Sequence, residues 1–237
     1  MNKGKKLYEG KAKIIYSTTD KNLVIQYFKD DATAFNASKK SLIEGKGILN
    51  NLLSEYVMKG LHSHGIPNHF VKRLNMREQL IWRCEIIPLE VVVRNRAAGS
   101  MVKRLGVEEG SVLPKPIVEF YLKNDDLGDP IVTENHIINL NWMSEKELKE
   151  VLILARRVND FLSGLMYSVN INLVDFKVEF GRFFENKKCR LMIADEISPD
   201  SCRLWDISTG ERLDKDIFRH DLGSLLDGYK EIAKRFN

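Results

Sequence analysis

The chain has 237 residues, 43% hydrophobic and 30% charged, which is ample for one large domain or two small lobes around a real core. Its 37 Lys and Arg against 33 Asp and Glu leave a net charge of +4. That excess is too small to mark a nucleic-acid binder and suits small anionic substrates equally well. Cys84, Cys189 and Cys202 are widely spaced and odd in number, which argues against a disulfide framework and against zinc. The basic opening "MNKGKKLYEGKAK" has no apolar centre, so it does not read as a secretory signal, and no run approaches membrane-spanning length. The expected location is the cytoplasm.

Taken in order, "AKIIYST" and "LVIQYF" read as strands separated by the turn cluster "TDKN". Leu49, Leu52, Leu53, Tyr56, Val57 and Leu61 keep helical spacing, and "HGIP" stops that helix. Strands return in "FVKRL", "QLIWRCE" and "LEVVVR", with Pro88 expected to mark a connection between the last two. Ser100 is placed to N-cap a short helix, "MVKRL", closed by Gly106. "GSVLPKP" reads as loop, "PIVEFYL" as strand and "KNDDLGDP" as a turn-rich acidic loop. Ser144 with Glu147 forms a capping box ahead of a long helix over Leu148 to Met166. Strands "LVDFKVEF" and "LMIADEI" follow, joined by the polar loop "GRFFENKK". The chain ends in a helix with Leu222, Leu225, Leu226, Tyr229, Ile232, Ala233 and Phe236 on one stripe. The order of elements predicts an α+β fold with largely antiparallel sheets. Residues 1–85 are expected to form an N-terminal lobe and residues 86–237 a larger C-terminal lobe.

Three constellations carry chemistry. In "YEGKAK", residues 8–13, a glycine turn lies among lysines; such a turn lets the backbone approach phosphate oxygens, although an ordinary hairpin with exposed lysines has the same look. In "PLEVVVRNRAAGS", residues 88–100, alternation puts Val91 and Val93 on one face and Val92 and Arg94 on the other. The strand then thins to Gly99 and Ser100 at a helix start, where free N–H groups favour an anion. In "LVDFKVEFG", Asp175, Lys177 and Glu179 share one face, and the next strand ends in Asp195-Glu196 before a loop with Asp200, Arg203 and Asp206. Carboxylates at a strand end near Lys and Arg suit Mg²⁺ bridging phosphates. The five histidines show no ligand spacing, and no GxSxG is present. Residue chemistry alone therefore reaches ATP, Mg²⁺ and a second anionic substrate.

The ordered set "LYEGKAK", "IIPLEVVVRNRAAGS", "KNDDLGDP", "LVDFKVEFG" and "DEISPDSCRLWD" closely resembles the phosphoribosylaminoimidazole-succinocarboxamide synthase (SAICAR synthetase) family, from about residue 7 to the C-terminal helix. The resemblance implies a two-lobed fold related to the ATP-grasp enzymes, with ATP between the lobes. It implies a ligase that activates the carboxylate of carboxyaminoimidazole ribotide (CAIR) with ATP and joins it to the amine of L-aspartate. It further implies Gly10, Lys11, Ala12 and Lys13 over the ATP phosphates. Arg94, Gly99, Ser100 and Arg203 are implied at the CAIR 5′-phosphate. Lys177 is implied at a phosphate or the reacting carboxylate, and Lys123 and Asp129 in a loop that closes over the reacting centre. Glu179 and Asp195, then Asp175 and Asp129, are the implied Mg²⁺ ligands. Adenine is expected near the backbone of residues 83–87, and the family suggests a homodimer without nucleic-acid or membrane partners.

Two positions depart from that pattern. Asn36 stands where many relatives carry aspartate, and Ser201-Cys202 where a glycine or second serine is common. Cys202 is therefore expected to be a tolerated small residue. The competing readings are an ATP-dependent small-molecule kinase on a related scaffold and an RNA-associated domain. The kinase would not need aspartate; the RNA reading needs clustered cations and exposed aromatics on one sheet face.

Overall fold

The computed structural model describes residues 3–34, 39–186 and 188–236. Asn36 lies outside the described residues. The first part of the chain runs β1 (Lys6–Glu9), β2 (Lys13–Ser17), β3 (Leu23–Phe28), β4 (Asp31–Ala34), β5 (Lys39–Leu42), α1 (Lys46–Ser63), β6 (Phe70–Arg73) and β7 (Glu78–Trp82). The second runs β8 (Glu85–Arg96), α2 (Ser100–Leu105), β9 (Val112–Leu122), β10 (Ile131–Val132), α3 (Glu134–Asn139) and α4 (Glu145–Tyr167). It continues through β11 (Ile171–Glu185), β12 (Lys188–Ile193), β13 (Cys202–Asp206), α5 (Asp216–Arg219) and α6 (Leu225–Arg235).

Two large antiparallel sheets, with a small two-stranded β4-β5 sheet besides, follow from this order among the described residues. One runs β1-β2-β3-β7-β6; the other runs β10-β9-β8-β11-β12, with β13 also paired to β11. The fold is α+β, as expected. On the second sheet the period-two alternation is obeyed: Val91, Val93, Phe176, Val178 and Phe180 point into one core. Val151, Ala155, Val158 and Leu162 of α4 cover that face, and each valine or leucine there contributes about 1.5–3 kcal/mol on burial. Charge at Val158, which is fully enclosed, would break this layer. Val57, Met58 and Leu61 of α1 enter the same core, so the helix of the first part packs with the second sheet.

Several local expectations are corrected. Pro88 lies inside β8 rather than between strands. The ladder to β11 shifts register between Glu179 and Gly181, beside Pro88, and the ladder to β9 ends at the Leu89–Leu122 pair, so the missing N–H is not needed. "GSVLPKP" is not all loop: β9 begins at Val112, where among the described residues no strand pairs along its other edge until Phe120, and Pro114 and Pro116 are tolerated there. β11 and β12 continue through most of "GRFFENKK". The last helix starts only at Leu225, capped by Ser224, because Gly223 at φ 129° breaks the chain direction; Leu222 is exposed. Ser144 and Glu147 form the reciprocal capping box that the sequence predicts.

Candidate active site

A cleft of about 1110 Å³ opens between the two sheets. The β1–β2 turn forms one rim. Gly10 N–H closes that turn on the Lys13 carbonyl at 2.9 Å, and Lys11 and Lys13 extend from it into the cleft. The linker between β7 and β8, with Arg83 and Cys84, lies along its back. The floor is the polar face of the second sheet. There β8 and β11 run in register, Arg94 opposite Asp175, Val92 opposite Lys177 and Glu90 opposite Glu179. Alternation thus delivers Glu90, Val92, Arg94, Asp175, Lys177 and Glu179 to one surface, while the valines and phenylalanines between them fill the core.

At one end of the floor, carboxylates and lysines interleave. Lys177 Nζ donates to Glu90 Oε1 at 2.5 Å and lies 4.0 Å from Glu179. Lys123 donates to the other oxygen of Glu179 at 2.5 Å. Asp195 follows β12, whose end pairs beside Glu179, and Lys13 from the glycine turn reaches both Asp195 and Glu196. Burial strongly opposes charge here. It raises the Glu179 carboxyl pKa, and Asp195 raises it further. Burial also opposes ionisation of Asp195, but Lys13, Lys177 and Lys123 outweigh it and hold that carboxyl below its usual value. Lys177 is likewise kept charged against burial by Glu90, Glu179 and Asp195. A buried and a half-buried carboxylate that repel one another, with lysines offsetting them, fit a divalent cation shared with substrate phosphates. Among the described residues no three acidic, Cys or His side chains form a closed metal cage. Mg²⁺ usually takes one or two carboxylates and fills its shell with water and phosphate.

At the other end sits an arginine cradle. Arg94, 3% exposed, donates from Nε to Glu119 at 2.8 Å and from Nη1 to Asp175 at 2.6 Å and the Ala98 carbonyl at 3.2 Å. Its Nη2 donates to Ser100 Oγ at 3.2 Å and Tyr121 at 3.3 Å. Arg203 donates to Asp175 at 2.8 Å and Asp216 at 2.8 Å. Ser100 is not the N-cap: Gly99, at φ 58° and ψ −129°, takes that position, and the Ser100 hydroxyl turns to Arg94 instead. Ser100 is exposed, so its oxygen remains open to a ligand.

The 123–130 loop is a compact turn. Asn124 caps it, Asp129 accepts the Asn124 N–H at 2.9 Å from a left-handed backbone, and Lys11 pairs with Asp125 at 2.6 Å across the cleft mouth. Every site residue that the family resemblance implies, except Gly99 and Ser100, lines the cleft itself, and these two flank it through Arg203 and Arg94. Asp175 is placed among arginines, apart from the Glu179–Asp195 pair, so its carboxylate already has two guanidinium partners. Asp206 is not in the cleft; it caps a turn and pairs with Arg235 at 2.6 Å. Sequence reasoning missed Glu90, Glu119 and Tyr121, which hold the cleft cations, and His69, a buried cleft residue whose ring burial pushes down to about 4. It also missed Lys46, a fully buried amine paired with Asp200 at 2.6 Å. Strand alternation alone flags Glu90 and Glu119, since each shares a face with a cleft residue.

A cleft with two cationic subsites, one of them threaded with buried carboxylates, defines an ATP-dependent enzyme that handles a second anion. Comparison with known proteins narrows the class. A family model described as SAICAR synthetase matches residues 6–236. Phosphoribosylaminoimidazole-succinocarboxamide synthases of Ruegeria pomeroyi and Dinoroseobacter shibae are 66% and 64% identical. The matches cover 97% and 99% of this chain and 92% and 93% of those proteins. A crystal structure of the synthase from Ehrlichia chaffeensis superposes with a TM-score of 0.96 at 51% identity, covering 98% of both chains. A SAICAR synthetase in complex with ADP superposes with a TM-score of 0.92 at 46% identity, covering 96% of both chains. The chain belongs to the SAICAR synthetase family.

Proposed function

We propose that this cleft joins L-aspartate to the carboxylate of CAIR at the expense of ATP, forming SAICAR, ADP and phosphate in purine biosynthesis. The observation that carries the reading is the presence of two different anion sites on one sheet face: lysines interleaved with Glu179 and Asp195, and arginines gathered around Asp175. ATP-dependent amide formation needs both. A carboxylate is a poor acyl donor until one oxygen becomes a leaving group. Transfer of the terminal phosphoryl group to it brings anions together, which demands fixed cations and alignment.

Residues 1–85 and 86–237 act as two lobes in this reading, with ATP between them. Gly10, Lys11, Ala12 and Lys13 cover its phosphates, and adenine lies along the backbone of residues 83–87. Arg94, Gly99, Ser100 and Arg203 hold the 5′-phosphate of CAIR. Lys177 and Lys123 offset charge at the reacting carboxylate, and Asp129 shapes the loop that closes over it. Glu179 and Asp195 are the residues that would hold Mg²⁺, which supplies charge neutralisation of the phosphates when bound. Asp175 is better assigned to orienting Arg94 and Arg203 than to metal, because two guanidinium groups already occupy it. A cytoplasmic homodimer completes the proposal; three free thiols agree with a reducing compartment, and light scattering tests the dimer.

The deciding assay is phosphate release from ATP and Mg²⁺ with CAIR and L-aspartate each omitted in turn. Release that needs both and yields SAICAR supports the ligase. Release indifferent to aspartate identifies a kinase on the same scaffold and overturns the reading.

A further inference from the structure

Amide formation carries a proton requirement that the roles above leave open. Aspartate arrives as an ammonium, which has no lone pair to offer an acyl carbon. Some group near the reacting centre must take its proton, and that group must itself be unprotonated near neutral pH.

Five lysines reach the cleft, and four of them are tied to carboxylates: Lys11 to Asp125, Lys13 to Asp195, Lys123 to Glu179 and Lys177 to Glu90. Lys215 is the fifth, and among the described residues it has no ion pair. Its place is fixed, however. It immediately precedes α5, and its backbone N–H donates to the Pro199 carbonyl at 3.3 Å, which fastens it against the segment that carries Asp195 and Asp200.

The acids around it are engaged elsewhere. Asp214 accepts the Leu204 and Asp216 N–H groups at 2.7 Å each. Asp216 is held by Arg203 at 2.8 Å and Arg219 at 2.5 Å. Asp200, the carboxylate whose charge acts most strongly on Lys215, is bound by Lys46 at 2.6 Å and by the Tyr229 hydroxyl at 2.5 Å. The other charges that act most strongly on the amine are cations from three elements: Lys46 of α1, Arg219 of α5 and Lys177 of β11. A half-buried cleft amine near cations, with no carboxylate paired to it among the described residues, is the lysine most ready to lose its proton. Burial is the largest influence, Asp200 opposes it, and the three cations add to it, leaving the ammonium pushed down to about 8.

We propose that Lys215 is the general base of the ligation, a role that rests on the amide-forming reading above. Its neutral Nζ takes one proton from the aspartate ammonium. The freed nitrogen lone pair attacks the acyl carbon of the phosphorylated CAIR carboxylate and forms the C–N bond. The carbon–oxygen bond to phosphate breaks with its electron pair on oxygen, and the second nitrogen proton leaves with the phosphate. Lys215 then returns its proton to water.

The test uses the full chain, its Lys215→Met and Lys215→Arg variants, and two nucleophiles, L-aspartate and hydroxylamine. Hydroxylamine is largely neutral at pH 7, so it traps an acyl phosphate as a hydroxamate without a base. Binding of ADP, followed by calorimetry, reports that each variant retains its fold. With aspartate, both variants are expected to lose about 10²–10⁴-fold in kcat. The wild-type kcat is expected to rise with pH through about 8, and that limb to vanish in both variants. With hydroxylamine, both variants are expected to stay near the wild-type rate. An arginine variant that restores aspartate turnover, or a loss confined to the KM for aspartate, would show a charge that only binds and would overturn the base role. Equal loss with both nucleophiles would overturn it as well. If the wild-type enzyme forms neither SAICAR nor hydroxamate, the ligase reading itself fails first.

Discussion

Gly99 and Arg203 are packed so closely that a β-carbon on Gly99 would stand 2.8 Å from Arg203 Cζ, and its three nearest atoms would all belong to that guanidinium. Arg203 cannot swing away cheaply, because Asp175 and Asp216 grip it from the other side. Gly99 also holds φ at 58° with ψ at −129°, a conformation that costs a residue with a side chain about 1–3 kcal/mol. Gly99→Ala is therefore expected to displace Arg203 and raise the KM for CAIR by roughly 10- to 100-fold, the worth of one or two charged hydrogen bonds. Affinity for ADP, assigned to the other end of the floor, is expected to stay unchanged. Steady-state kinetics with calorimetry of ADP binding checks both halves, and an unchanged KM would place the CAIR phosphate elsewhere.

Arg94, assigned above to CAIR, also holds two buried carboxylates of the fold. Its removal leaves Glu119 and Asp175 buried with fewer partners, and breaking such a buried pair costs about 3–5 kcal/mol. Arg94→Ala is expected to lose stability near the lower end of that range, since Asp175 keeps Arg203. Arg94→Lys recovers little, because an ammonium cannot reproduce the forked set of contacts. Urea denaturation measures this, and a variant as stable as the wild type would mean that water replaces the guanidinium at no cost.

The carboxylate pair predicts a metal response. Mg²⁺ is expected to tighten ADP binding by the wild-type protein, and Glu179→Gln and Asp195→Asn are each expected to abolish that tightening. Calorimetric titration of ADP with and without Mg²⁺ reads this directly. A full Mg²⁺ response in both variants would move the metal off these residues.

Glu147 gives the clearest stability-versus-pH forecast. Arg182, at 2.5 Å, and the Ser144 cap hold its carboxyl down to about 2, and burial opposes them. A folded pKa below the unfolded one contributes stability above the unfolded value and loses it as pH falls through the folded value. Glu147→Gln is expected to cost about 1–3 kcal/mol at pH 7 after allowance for partial solvent screening. Its deficit relative to wild type is expected to shrink between about pH 5 and pH 2. Thermal melts across that range test it; a deficit independent of pH would assign the loss to the cap alone.

Period-two alternation makes the sheet floor legible in the sequence: Asp175, Lys177 and Glu179 must share a face, and Phe176, Val178 and Phe180 the core. The capping box at Ser144 is equally readable, because it is a contact across three residues. What escapes is pairing at long range. Lys46 and Asp200 meet across 154 positions, and Arg94 finds Glu119 only because β8 and β9 settle into one register out of several. Pro88 misleads for a related reason. A proline reads as a break in isolation, and only the neighbouring strands show that an N–H at that position would have no partner. Lys215 sits in "RLDKDIF", where its flanking aspartates suggest a paired surface lysine; both are turned to other partners.

The arginine cradle is one link in a longer chain of alternating charge: Arg104, Glu119, Arg94, Asp175, Arg203, Asp216 and Arg219. Four guanidinium groups against three carboxylates leave a surplus of one positive charge in the whole array. The 5′-phosphate assigned to this end is common to the substrate and to the SAICAR that must leave. A cradle of bare arginines would grip both alike and slow departure. Under the assignment proposed above, arginines already satisfied by carboxylates orient the phosphate while limiting the net attraction, so the same contacts that stiffen the cradle also set how fast product leaves it after each turnover.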